Sequence, residues 1–350
     1  MAYTTIDKPT DYFNTKLYTG NGSSGHAITG VGFQPDWIWW KHRGSVTYWH
    51  NLMDSVRGAS KQLYSNESNL EGTNTNGLES FDSDGFTVGS DNGANESGQN
   101  FVAWNWLASN TTASNTDGTI TSTVSANTTA GFSIVSYTGT GSNATVGHGL
   151  SVAPSMVIIK NRDDGQSWRV GVTSIGFDKY LGLNGTGAST SSSGMFNNTA
   201  PTTSVFSVGS DGSTNASGEK CIAYCFADVK GYSKFGSYTG NGNADGTFVY
   251  LGFKPAWVMI KASSQTADWV MFDNKRNPFN LVEKYLDANT SDAEGDDSGG
   301  SGSWELDFVS NGFKLRENSG GLNQNGTTFI YMAFAENPFV SSGGIPCTAR

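Results

Sequence analysis

The chain is expected to be all-β, built from three tandem β-sandwich units of a jelly-roll or concanavalin-like kind. Three observations predict this. The composition is dominated by turn formers, with 45 Gly in 350 residues, and charged residues are only 15%, against about 25% in typical globular chains. The apolar runs are short and alternate with a period of two, as half-buried strands do. A set of motifs also returns three times at fixed offsets, the signature of internal repeats.

The repeat opens on "YTGNG" at Tyr18, "YTGTG" at Tyr137 and "YTGNG" at Tyr238. Pro35, Pro154 and Pro255 each lie 17 residues beyond that Tyr, and Lys41, Lys160 and Lys261 each lie 23 beyond it. Two offsets shared three times exclude chance composition, and these nine residues are read as repeat determinants. The units are placed at 1–110, 111–229 and 230–350.

Within each unit the elements follow in the same order. Gly-x-Gly after the Tyr makes a turn, since Gly accepts positive φ. Pro then stands at a strand entrance, where it removes no ladder bond. The apolar runs "DWIWWK", "SMVIIK" and "AWVMIK" follow. In the first run Trp37 and Trp39 face one way and Trp40 the other. Asp-Gly and Asn-Gly in "FDSDGFTVG" and "FVSNGFKL" signal hairpins, and "DSDG" (82–85), "GSDG" (209–212) and "VSNG" (309–312) are aligned with one another. The runs "FVAWNWLA", "CIAYCFAD" and "FIYMAFAE" close the units. The polar stretch 109–131 is a linker or a solvent-facing strand pair. The spacing at 277–289 predicts a short helix. The tail 340–350 reads as a loose end or a docking strap.

The net charge of −10 and the lack of a basic stripe argue against nucleic acid as partner. No run approaches the roughly 18 apolar residues of a membrane helix, so membrane insertion is not expected. The start lacks the basic and apolar regions of a secretory signal. Cys221 and Cys225 on one strand would lie roughly 13 Å apart, too far for a disulfide. With Cys347 they suit synthesis in a reducing cytoplasm.

Sites of chemistry are sparse. Glu305 and Asp307 invite comparison with a hydrolase carboxylate pair, but they fall in an ordinary strand opposite Leu78 and Ser80. Asp82 and Asp84, and the acidic loop 287–297, are weighed as cation ligands and read as turn and solvated loop. No cofactor, metal or catalytic residue is expected. Asp54 with Arg57, and Asp273 with Arg276, are read as structural ion pairs, with Thr173 and Gly176 opposite them in the second unit. The three repeat lysines are expected to pack their stems and expose the ammonium. Flat aromatic rings beside Asn and Asp are how proteins grip sugars. Trp39, Trp40, Tyr48, Trp49, Trp168 and Trp269 are therefore the candidate ligand platform.

The set YTGxG, HGLxxxP (at His148 to Pro154), a hydrophobic strand ending in Lys, DxVRG (at Asp54 to Gly58), FDSDGFTVG and GQNFVAWNW resembles a repeated domain of bacteriophage virion proteins. That domain is common in phages of marine bacteria, near tail-fibre and other structural genes. The resemblance spans nearly the whole chain. It implies a lectin-like β-sandwich and a virion location, reached from synthesis in the host cytoplasm. The expected function is non-enzymatic: a structural protein exposed on tail, fibre or capsid, for host-surface attachment or decoration. The expected partners are other virion proteins, a host surface glycan, and copies of itself in a trimer, unless three units in one chain act as the threefold body. The alternatives are a carbohydrate-binding module outside a virion and a glycan-degrading enzyme.

Overall fold

The computed structural model describes residues 3–297 and 304–348. Each unit places a large antiparallel sheet against a small one. In the first unit the large sheet runs, in spatial order, through an opening strand Phe13–Thr19, a closing strand Asn100–Trp106, a middle strand Trp37–His42, a fourth strand Asn51–Asp54, a fifth strand Lys61–Tyr64 and the short Gly72–Thr73. The third unit repeats that order with Ser233–Thr239, Thr328–Pro338, Phe253–Ala262, Trp269–Asp273, Lys284–Asp287 and Gly295–Asp296. The second unit follows suit with Phe132–Thr138, Lys220–Phe226, Met156–Asn161, Arg169–Val172, Lys179–Gly182 and Thr190–Ser191. Its outer edge gains Ala113–Asn115 and Ser122–Asn127, so the polar stretch after the first unit is a strand pair. Among the described residues the small sheets hold three, two and three strands.

Three positions in the strands and turns differ from the sequence reading. Residues 277–289 form turns and the strand Lys284–Asp287, not a helix. Pairing of Val270 with Asp287 draws the segment into the sheet, and tertiary pairing overrides a weak local period. The "GSDG" at 209–212 follows its strand Val205–Val208 and leads into the helical turn Gly212–Asn215. Its counterpart is thus Gly89 to Asn92, ahead of the turn Asn92–Asn95, and not the hairpin Asp82 to Gly85. A register shift between Leu78 and Ser80 likewise puts Leu306, not Glu305, at the place of Leu78.

Alternation along the large sheets gives each of them two apolar faces. In the first unit Ile38, Trp40, Met53 and Ala103 face the small sheet and fill the sandwich with Phe86 and Val88. Trp37, Trp39, Trp104 and Trp106 face the other way into one central cluster shared by all three units. Phe132, Ile158, Tyr224 and Phe226 enter it from the second unit, and Trp257, Met259, Trp269 and Phe334 from the third. Trp37 stacks on Tyr224 with ring centroids 4.5 Å apart, and Phe13 on Phe334 at 5.0 Å. The units are therefore sandwiches in series that share a core.

The backbone contacts between units also repeat. Glu71 N donates to Arg162 O at 2.8 Å, Ser189 N to Ser263 O at 2.8 Å, and Glu294 N to Arg43 O at 2.7 Å. The first joins unit one to two, the second two to three, and the third three back to one. Trp168 Nε1 donates to Tyr64 O at 2.7 Å and Trp269 Nε1 to Gly182 O at 2.8 Å. Both acceptors are the last residues of fifth strands. His50 stands where those two Trp stand, near Asp287, the third such residue. The contacts are head-to-tail and they close into a ring.

Candidate functional site

The pentapeptide is part of the scaffold. Tyr18 donates its hydroxyl to Ala94 O, Tyr137 to Thr214 O, and Tyr238 to Leu322 O, at 2.7, 2.6 and 2.6 Å. Each Gly-x-Gly wraps a buried Asn five residues ahead of the closing strand. Gly22 N, Gly141 N and Gly242 N donate to the backbone oxygens of Asn95, Asn215 and Asn323. The Asn side chains answer by bonding Asn21 N, Thr140 N and Asn241 N. A Cβ on Gly20, Gly139 or Gly240 would stand 2.3 Å from a backbone oxygen, so only Gly fits there. The three Asn residues were missed in the sequence reading, although their constant distance from the closing strand is a legible signal.

The repeat lysines are a correction. Lys41, Lys160 and Lys261 are wholly buried, and their ammonium groups are capped by carbonyls instead of reaching water. Lys41 Nζ donates to His42 O and Ser45 O, both at 2.9 Å. Lys160 Nζ donates to Asn161 O at 2.7 Å and to Ser68 O of the first unit at 3.2 Å. Lys261 Nζ donates to Ala262 O at 2.7 Å and to Thr186 O of the second unit at 3.0 Å. Burial lowers each ammonium to about 8.

Arg57 pairs with Asp54, and Arg276 Nε with Asp273 at 2.5 Å, with all four side chains buried. Both pairs lie at junctions. Tyr224 reaches Asp54, and Trp104 Nε1 donates to Asp273 at 3.2 Å. Glu71 bridges Arg57 and Arg162, while Glu294 bridges Arg276 and Arg43. Strand register puts Val172 at the place of Asp54, since Met156 pairs with Val172 as Trp37 does with Asp54. Ile175 then stands for Arg57, a shift of one residue from the sequence alignment. The residue corresponding to Tyr224 and Trp104 is Met332. Val172 and Met332 both belong to the central cluster, with Ile175 packed against it, so this junction is apolar on both sides.

The acidic candidates are occupied structurally. Asp84 accepts from Gly30 N and Gly32 N at 3.0 and 2.7 Å, and Asp82 from Ser80 and Thr87 hydroxyls at 2.7 Å each. Asp307 pairs with Arg316. Within 287–297, Asp287 is pushed up to about 7 by burial and by the charges of Asp268 and Asp292. Among the described residues no three His, Cys, Asp or Glu side chains converge on a metal position. Among them also, no helix is long and apolar enough to cross a membrane.

The six-residue aromatic platform is not assembled. Trp39, Trp40, Trp168 and Trp269 are at most 1% exposed, because the large sheets bury both faces. Tyr48 and Trp49 do reach a surface cleft of about 550 Å³, lined also by Asn51, Gln62, Tyr64, Asn74 and Asp91. It arises because the six-stranded sheet is wider than the three-stranded sheet covering it. Past Met53, the outer part of the fourth and fifth strands lies beyond the small sheet, and there alternation puts the buried Asn51 and Gln62 and the half-buried Tyr64 on the sandwich side. Trp49 meets Tyr64 edge-on, with centroids 4.7 Å apart, and Tyr48 stacks on His42 at 5.3 Å. Asn74 Nδ2 donates to Asp91 Oδ2 at 3.1 Å, and Gln62 donates to Asn51. Tyr64 is shifted upward by burial first and by Asp91 second.

The other units do not keep this surface. Gln166 and Ser167 stand for Tyr48 and Trp49 in the second, and Ala267 and Asp268 in the third. The bare strand face carries Arg169 over the Tyr180 ring at 4.9 Å in the second unit and Tyr285 stacked on Trp304 at 5.4 Å in the third.

Neither the curated proteins nor the solved structures contain a match to this chain. One family model does match, described as a domain of unknown function (DUF7483), over residues 8–338. That match runs through all three units and their shared core, and the chain belongs to this family.

Proposed function

We propose that the chain is a non-enzymatic protein of a bacteriophage virion surface, which contacts a host surface sugar through the cleft of the first unit. The observation that carries this is the cleft itself. Tyr48, Trp49 and Tyr64 offer ring faces and edges beside Asn51, Gln62, Asn74 and Asp91, the mix that pairs apolar C–H faces with hydroxyl partners. Asp91 is the one carboxylate among the lining residues, whereas glycoside hydrolysis commonly uses two flanking the bond. That favours binding over cleavage. The resemblance of the repeat motifs to virion domains supports the location. A ring closed on one shared core suits a surface that must persist outside a cell without disulfides.

Mass spectrometry of purified particles tests the location, and the chain is expected among the virion proteins. Its absence there, with sugar binding retained, would favour a free carbohydrate-binding module. Binding of fluorescent protein to host cells tests the contact: Trp49→Ala is expected to abolish it, and undiminished binding would sink the cleft's role.

A further inference from the structure

We infer that the cleft of the first unit takes an uncharged pyranose sugar, through its ring face and a pair of neighbouring hydroxyls, and rejects acidic sugars. This rests on the sugar-contact reading above and adds the ligand's chemical class. No Lys or Arg lines the cleft. A uronate or sulfate entering it would find no counter-charge and would meet Asp91, an arrangement of like charges that is unfavourable at short range. The chain's net charge of −10 adds a long-range term of the same sign.

A cationic amine would be drawn by Asp91, but the rest of the lining gives it less than it gives a hydroxyl. Asn51 and Gln62 lie beneath, buried and bonded to each other, while Asn74 and Asn92 present carboxamides, which both donate and accept. A hydroxyl does the same, whereas an ammonium can only donate and leaves amide N–H groups facing a donor.

Asp91 is held ready for such hydroxyls. Its counterpart Asp211 turns back on its own chain, accepting from Ser213 N at 2.8 Å. Asp91 makes no such cap and instead bonds Asn74 across the cleft. Gly93 keeps that carboxylate clear, since a Cβ there would come within 2.9 Å of Asp91 Oδ1 and 3.5 Å of the Tyr48 ring. Two oxygens of one carboxylate match two adjacent hydroxyls. The aromatic wall then covers the apolar face of the ring.

The test is calorimetric titration of the full chain with uncharged tetrasaccharides of mannose, glucose, galactose and N-acetylglucosamine, and with tetragalacturonate and tetraglucosamine. At least one uncharged sugar is expected to bind tenfold or more tighter than either charged one, with little change in 0.5 M salt. Asp91→Asn is expected to weaken it at least tenfold and Trp49→Ala to abolish it, both with an unchanged melting temperature. If a charged sugar binds as tightly and Trp49→Ala removes it, the inference is overturned and the sugar-contact reading stands. If no sugar binds, both are overturned together.

Discussion

The Tyr224 hydroxyl of the second unit donates to Asp54 of the first at 2.7 Å, across a junction sealed from water. Asp54 already holds Arg57, whose Nη2 also reaches Leu52 O at 2.9 Å. Tyr224→Phe removes one bond from a carboxylate that keeps its cation, and is expected to cost about 1–2 kcal/mol. Asp54→Ala strands a buried guanidinium and is expected to cost about 3–5 kcal/mol. Chemical denaturation of both single variants and the double variant measures this. A double variant equal to the sum of the singles would show the two residues to be uncoupled.

The shared core predicts one unfolding event. Trp37, Trp39, Trp104 and Trp106 belong to the first unit but are covered by the other two. Baring four such side chains of about 150–250 Å² each costs roughly 15–25 kcal/mol at ~25 cal/mol per Å², more than a typical domain's whole stability. Calorimetry is expected to give one transition with matching calorimetric and van't Hoff enthalpies. A fragment of residues 1–110 is expected not to fold alone. Separate transitions, or a fragment with dispersed amide resonances, would refute the shared core.

The clamp around each buried Asn makes Gly20 intolerant of any side chain. Gly20→Ala puts a Cβ 2.3 Å from Glu96 O, where backbone must move, and is expected to cost about 1–3 kcal/mol. Gly25→Ala meets no atom within 4 Å but sits at φ +78°, so strain alone is expected to cost it about 1 kcal/mol. Thermal melts of the two variants separate clash from strain, and equal losses would argue against the clamp.

Asp287 predicts a pH dependence with a definite sign. Its folded-state pKa is raised to about 7, so the folded state holds its proton where the unfolded state releases it. Its contribution to stability is complete below the ordinary carboxylate range and is lost as pH rises through 7. Asp287→Asn removes that loss. Relative to the parent, the variant is expected to gain stability steadily from about pH 4 to 7 and then level, by roughly 2–4 kcal/mol. Urea titrations across that range measure it, and a difference that is flat with pH would rule out the buried carboxyl.

The recurring motifs, their β character and the hairpins at Asp84-Gly85 and Asn311-Gly312 were legible from local chemistry. Tyr, Gly-x-Gly, Pro and Lys recur at fixed offsets because each satisfies a local need, for a turn, a strand entrance or a strand end. What the lysines do there was not legible. Two of their acceptors, Ser68 O for Lys160 and Thr186 O for Lys261, lie in neighbouring units, and no local pattern points across a junction. The same holds for the ion pairs, whose correct counterparts Val172 and Ile175 emerge from strand register.

The sequence by itself determined that the chain is all-β, that Trp37 and Trp39 oppose Trp40, and that Cys221 and Cys225 lie too far apart along one strand to pair. Period and spacing settle such matters within a few residues of chain. Only the tertiary structure decided which aromatic residues reach water. A sheet with two apolar faces can be covered by a partner on either side, and the sequence does not say which. The ring of units buries Trp39, Trp168 and Trp269, the first sandwich buries Trp40, and the narrow small sheet leaves Tyr48 and Trp49 beside an open cleft.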